Sequence, residues 1–167
     1  LWQYATQDAD PKVFEPMRQP INDRAAAFRQ LLTNTQPQHL KGVLEFAGRA
    51  YRRPLTAAEQ DELRELYGKL RSEDLPHDEA IRLVLARVFV APAFLYRLEQ
   101  AAPGKTPAPV SDWELANRLS YFLWSSLPDA ELRGVAAAGK LHQPDVLVAQ
   151  ARRMLPDPRV RRLATEF

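Results

Sequence analysis

Residues 118 to 129 read RLSYFLWSSLPD, and four bulky apolar residues stand in a row within them, Tyr121, Phe122, Leu123 and Trp124. The chain is 46% apolar and 26% charged, the ordinary balance of a globular protein, so this run is a local concentration rather than a general trend. Ser111 with Glu114 forms a capping box just ahead of it, which predicts one helix from about Asp112 through the run. On that helix Leu115, Leu119, Phe122 and Leu123 fall on one side as an aliphatic core face. Trp113, Asn117, Ser120, Tyr121 and Trp124 recur at spacings of four, three, one and three and form a second, aromatic face that also carries hydroxyl and amide groups. Glu114 and Arg118 occupy the remaining, water-facing side. Two covered faces predict a central helix, pressed on both flanks. An aromatic stripe at helical spacing is first of all core. The sharper reading makes Trp113, Asn117, Tyr121 and Trp124 a binding face, for docking a neighbouring domain or for a flat ligand such as a sugar ring, with docking ranked first because ring-rich surfaces with polar tips suit interfaces.

Outward from this helix the pattern is helical throughout. Only 6 glycines stand against 14 prolines, which favours helices punctuated by rigid breaks over a sheet built on glycine turns. Pro11, Pro16, Pro20 and Pro37 predict an irregular lead-in over residues 1–37, with a short helix from Asn22 carrying Phe28, Leu31 and Leu32 and ending at Thr33-Asn34-Thr35. From Gln38, the residues Leu40, Val43, Leu44, Ala47, Ala50 and Tyr51 keep one helix face apolar, with Arg52 and Arg53 in the last turn and Pro54 as the stop. Thr56 and Glu59 box the next helix, whose face is Leu63, Leu66, Tyr67 and Leu70. A third helix runs from about His77 to Val90, with Ile81, Val84, Leu85, Val88 and Phe89 inward, and Phe94, Leu95 and Leu98 suggest a further turn after Pro92.

Residues 101–110, AAPGKTPAPV, have no periodicity and read as a stiff connector. Beyond the central helix, Pro128 opens a short helix through about Ala138 with Gly139 at its left-handed end. Pro144 opens another with Leu147, Ala151, Met154 and Leu155 inward. Asp157 and Pro158 open the last, with Val160, Leu163, Ala164 and Phe167 on its face. The expected fold is all-α: two consecutive helical modules, residues 38–100 and 111–167, of about seven to eight helices packed as an irregular bundle. The chain begins without Met and its final apolar face runs to the last residue, so the expectation is a piece of a longer protein, truncated inside the second module.

Composition and motif exclude several chemistries. With no cysteine there is no disulfide, no thiolate metal site and no cysteine nucleophile. The sum of 23 Lys and Arg against 21 Asp and Glu gives +2, too even a balance to argue for nucleic acid by itself. No apolar run reaches the roughly 20 residues of a membrane span, and the first ten residues lack the order of a signal peptide. His39, His77 and His142 lie far apart and none has a partner at metal-binding helical spacing, so no metal site is expected. Glu59, Asp61, Glu62 and Glu65 read as a solvated helix start rather than an acid–base pair. Ser125 and Ser126 lack the glycine-flanked elbow of a nucleophile. No catalytic residue is assigned. Arg152, Arg153, Arg159, Arg161 and Arg162 crowd eleven residues with Asp157 as the only acid among them, a candidate basic patch whose first reading is nonetheless a solvent-facing one.

Five blocks then carry a resemblance: FAGRAYRRPLT (46–56), APAFLYRLEQ (91–100), VSDWELANRLSYFLWSSLPDAEL (110–132), AAGKL (137–141) and ARRMLPDPR (151–159). Together, in this order, they resemble the helical modules of the large planctomycete cytochrome-c-associated proteins of unknown function. The resemblance implies an exported or periplasmic parent with a c-type haem domain elsewhere and no established activity for the helical modules. No CxxCH is present, so haem attachment is not carried over to any residue here. The family's recurring Arg49, Tyr51, Arg52, Arg53, Pro54, Trp113, Arg118, Tyr121 and Trp124 carry no assigned roles. The Arg52-Arg53-Pro54 turn reads as a helix stop whose guanidiniums pair across the two modules. The resulting expectation is a non-catalytic scaffold and interaction module, partnered by other domains of its parent. The competing expectations are part of a redox or hydrolytic enzyme acting on a polysaccharide or other polymer, and a basic helical domain that binds nucleic acid.

Overall fold

The computed structural model describes residue 12, residues 14–97, residue 99 and residues 109–166, and among these every regular element is helical. The first element, α1, is a single helix over Glu15–Ala50. Over residues 15–37 this corrects the expected irregular lead-in and the short helix from Asn22; residues 1–11 and 13 of that lead-in lie outside the described residues. Pro16 sits at the helix start, where a missing N–H costs nothing, and only Pro20 and Pro37 lie inside. Each removes one backbone hydrogen bond. Local bonds hold the chain helical around them: Gln19 donates to Asp23 at 2.8 Å, Gln30 to Asn34 at 2.9 Å, and the Thr33 and Thr35 hydroxyls donate to carbonyls one turn back. Met17, Ile21, Phe28, Leu31 and Leu32 on this first half are exposed, whereas Val43, Ala47, Ala50 and Tyr51 at the far end are buried.

The remaining elements are α2 (Ala57–Ser72), α3 (His77–Phe89), α4 (Pro92–Leu95), α5 (Asp112–Trp124), α6 (Ala130–Ala137), α7 (Pro144–Met154), a 3-10 turn at Pro158–Val160 and α8 (Arg161–Glu166). Both predicted capping boxes are present, at Thr56/Glu59 and Ser111/Glu114. Asp129, not Pro128, caps α6, its carboxylate accepting from the Leu132 N–H, so the proline stands just before the cap. Gly139 takes the left-handed conformation after it, at φ 64°. The expected Leu98, connector residues 101–108 and Phe167 lie outside the described residues.

The buried side chains fall into two clusters. In one, α1 packs on α2 and α3, and α2 on α3, around Val43, Ala47, Tyr51, Leu63, Val84 and Val88. In the other, α5 packs on α6, α8 and the 3-10 turn around Ala116, Leu123, Trp124, Leu132, Leu141 and Met154. Phe89, Phe122, Leu155 and Ala164, expected on inward faces, are exposed instead.

The turn between α1 and α2 sets the edge of the first cluster. α1 ends in a Schellman motif: the Arg53 N–H donates to the Gly48 carbonyl at 3.2 Å and the Arg52 N–H to that of Arg49 at 3.1 Å. The residue in the left-handed position, where glycine is usual, is Arg52 at φ 62°. Its backbone strain, about 1 kcal/mol or more, is outweighed by the side chain, which is buried and donates to the carbonyls of Ala93 (2.7 Å), Phe94 (3.3 Å) and Tyr96 (2.6 Å). Arg53 turns the other way and grips Glu59 with two bonds of 2.8 Å. Both guanidiniums therefore bind within the first cluster, not across to the second.

Candidate functional site

The site is built on α5. Ser111 fixes its first turn, its hydroxyl accepting from the Glu114 N–H at 3.3 Å while the Glu114 carboxylate accepts from the Ser111 N–H at 2.6 Å. Asp112 accepts from the Leu141 N–H at 2.6 Å, which ties the helix start to the turn before α7. With the register set, Ala116, Ser120 and Leu123 form the buried side of the helix. The predicted aliphatic and aromatic faces are thus each divided: Ser120 belongs to the core, and Phe122, 54% exposed, does not.

The opposite side of α5 faces a cleft of about 1250 Å³. Trp113, Asn117, Tyr121 and Phe122 line one wall, Tyr51, Arg52, Ala93 and Arg97 come from the region of the first cluster, and Leu147, Val148 and Ala151 come from α7. Trp113 also lines a smaller cavity of about 500 Å³ together with Leu44, Arg49, Pro54 and Arg133. Its indole therefore stands between the two.

Trp124 is the member of the predicted face that does not reach the cleft. It is 1% exposed, its Nε1–H donates to the Met154 carbonyl at 3.1 Å, and the Arg159 guanidinium lies 3.5 Å over its ring. On a helical wheel it lies beside Trp113, but it stands eleven residues further along, roughly 16 Å at 1.5 Å per residue, where the end of α7 and the 3-10 turn close over it. Angle alone could not reveal that difference in height.

The cleft is polar at its edges. Arg118 donates to Glu99 through two bonds of 2.6 Å, which holds the Glu99 carboxyl below its usual range. The Arg97 guanidinium rests 4.6 Å from the centre of the Tyr121 ring, and no carboxylate pairs with it among the described residues. Asn117 has a buried Oδ1 with no hydrogen-bond partner. Burial raises the Tyr51 hydroxyl above its ordinary value.

The candidate basic patch is divided. Arg153 donates to Asp129 at 2.7 and 3.1 Å and pairs with Glu131 at 3.0 Å. Arg159 binds Asp157, whose carboxyl it holds down to about 2, while lying over Trp124. Asp129 is pushed up by burial, but its bonds from Arg153 and the Leu132 N–H win and leave it below its usual value. Arg152, Arg161 and Arg162 are exposed. The acids that meet Arg153 come from α6, more than twenty positions earlier, and so were not visible in the local run of arginines.

A second polar cluster joins α1, α2 and α3. The His39 Nδ1 lies 2.9 Å from the His77 Nε2 with the rings stacked, the His77 Nδ1 is 2.8 Å from the Tyr67 hydroxyl, and that hydroxyl donates to Gln36 at 3.5 Å. One proton arrangement satisfies all of them: Tyr67 accepts from the His77 Nδ1–H, leaving Nε2 to accept from the His39 Nδ1–H. The two histidines are 38 positions apart, and only the packing of α3 on α1 brings them together. Among the described residues no group of three or more metal-ligating side chains is close enough to hold an ion, and no helix is long and apolar enough to cross a membrane.

No curated protein and no solved structure matches the chain. Two family models do. Residues 39–99 match the PSD5 family, a protein of unknown function (DUF1595), and residues 110–167 match the PSD4 family, a protein of unknown function (DUF1592), so the chain carries two consecutive domains of unknown function.

Proposed function

We propose that this chain is a non-catalytic interaction module of a larger exported protein associated with a c-type cytochrome domain, and that the cleft along α5 receives a polypeptide segment of another domain or partner. The two helical modules of this reading are residues 38–100 and 111–167, with the cleft where they meet. One observation carries the proposal: Trp113, Tyr121 and Phe122, on a helix whose other side is buried, line an open cleft, Trp113 while also packing against the second cluster. Aromatic side chains with arginines around them are the groups enriched where proteins meet. The volume, about 1250 Å³, exceeds the roughly 300–1,000 Å³ usual for small-molecule sites and suits a segment of chain.

The two carboxylates of the cleft, among the described residues, are committed to structure rather than to chemistry. Glu99 is held by Arg118 and Glu114 by the cap of α5, so neither stands free as a general base. A polysaccharide reading would use the faces of Trp113 and Tyr121, but the Tyr121 ring is already covered by Arg97. A nucleic-acid reading would use the arginines after residue 151, of which Arg153 and Arg159 are spent on Asp129, Glu131 and Asp157. Thioether attachment of haem requires cysteine, which the chain lacks, so the cytochrome of this proposal lies elsewhere in the parent.

The test is selection of a random short-peptide display library on the chain, repeated on a Trp113→Ala variant shown by circular dichroism to be folded. The expected result is an enriched peptide family whose binding is lost in the variant. Absence of any enriched family, or peptides that bind both proteins equally, would contradict the proposal.

A further inference from the structure

We infer that the segment received by the cleft presents a carboxylate beside a large apolar side chain, and that Arg97 and Asn117 read the carboxylate. The inference rests on the docking reading above and specifies its ligand chemistry. The charges of the cleft lead to it. Arg53 is neutralised by Glu59 and Arg118 by Glu99, and Glu114 serves the helix cap. Two cations remain without an acid: Arg52, whose donors are used on the Ala93, Phe94 and Tyr96 carbonyls, and Arg97, whose donors are not used on any described residue. Among the described residues at this end of the cleft, Arg97 is the cation with N–H donors to offer.

Arg97 is also positioned. Its guanidinium carbon lies 4.6 Å from the centre of the Tyr121 ring, a contact that limits the rotamer freedom it would otherwise lose on binding and leaves its N–H donors unused among the described residues. A carboxylate matches that fork with two charge-assisted bonds. Asn117 lies one turn before Tyr121 on the same helix face. Its Oδ1 is the buried end of an amide that lines the cleft, so its Nδ2 donors are the part that meets the opening. Arg97 and Asn117 thus flank the Tyr121 ring as two donors for one anion. Beyond them Phe122 and Val148, both exposed, supply an apolar wall for a neighbouring side chain. A single uncommitted arginine among the described residues of the cleft suits one carboxylate; a phosphate backbone would call for a row of cations.

The experiment uses peptides selected on the wild-type chain. The expected consensus contains Asp or Glu next to a large apolar residue. Replacing that acid by its amide weakens binding at least tenfold, and Arg97→Gln weakens the acidic peptide by a similar factor while leaving the amide peptide unchanged, the pattern of a direct pair in a double-mutant cycle. Arg97 is exposed, so the variant is expected to fold, and circular dichroism checks it. Selected peptides that require Trp113 but carry no acid, or whose acid is indifferent to Arg97→Gln, would overturn this inference and leave the docking reading standing. Displacement of the peptide by a short oligonucleotide at equal concentration would overturn it in favour of phosphate. Failure to select any peptide would overturn both.

Discussion

Trp113 and Trp124 look interchangeable in the sequence, and the structure gives them opposite roles that a single conservative substitution separates. In Trp124→Phe the ring stays apolar but the indole N–H is lost, leaving the Met154 carbonyl with the Asp157 N–H at 3.2 Å as its remaining donor. Losing one hydrogen bond costs about 0.5–1.5 kcal/mol, and the void left by the smaller ring costs about 1 kcal/mol more. The total of about 2 kcal/mol corresponds to a fall in Tm of about 4–8 °C for a domain of this size. Trp113→Phe removes no hydrogen bond among the described residues and shortens a ring that already borders two cavities, so it should cost about 0.5 kcal/mol and lower Tm by about 1–2 °C. Thermal melts followed by far-ultraviolet circular dichroism, with urea unfolding as a second measure, read both. A Trp124→Phe protein that melts with the wild type, or a Trp113→Phe protein that falls as far, would refute the division of α5 into a core end and a cleft side.

Two further predictions concern pH. Glu59 is held down to about 2, first by the hydrogen bonds from Arg53 and further by the Thr56 N–H. Its folded value is depressed, so its contribution is present above the ordinary carboxylate value of 4.5 and is lost as the pH falls toward about 2; Glu59→Gln should cost about 1–2 kcal/mol at neutral pH, allowing for partial exposure, and make the acid limb of a Tm-against-pH curve shallower. His77 is lowered by burial, then by His39 and Arg71, against a small opposing pull from Asp78. The unfolded chain therefore binds the proton more readily, stability declines as the pH drops below about 6.5, and His77→Gln should remove that decline while Tyr67 and His39 remain; a wild-type Tm that is flat through this range would contradict the reading.

Most of the helices were legible because their signals are local. The two capping boxes, the apolar faces of α2 and α3, and the left-handed Gly139 all depend on residues within a few positions of each other. Pro20 and Pro37 misled because proline propensity is also local, whereas a helix of 36 residues anchored by its buried end absorbs two missing hydrogen bonds. The site was legible in part. Trp113, Asn117 and Tyr121 come to the cleft by their four-residue spacing, but Trp124 is claimed by Met154 at the end of α7 and Arg159 in the 3-10 turn, thirty or more positions away. Arg97 gave no signal, since its meaning arises only where it meets Tyr121, and Arg52 had none beyond marking a helix end, since its carbonyl partners lie over forty residues on. The arginines after residue 151 were misleading in the opposite sense: their density is real, but Arg159 is neutralised by Asp157 beside it and Arg153 by Asp129 and Glu131 at the start of α6, far back in the chain.

The account depends on α5 offering its Trp113 side to a partner while its Trp124 end stays sealed. The indole N–H signals of the labelled protein, assigned by Trp→Phe variants and followed in an NMR titration with a peptide selected on the wild-type chain, report both residues at once. The account predicts that the Trp113 signal moves with peptide and the Trp124 signal holds still; movement of Trp124 with Trp113 unaffected would contradict it.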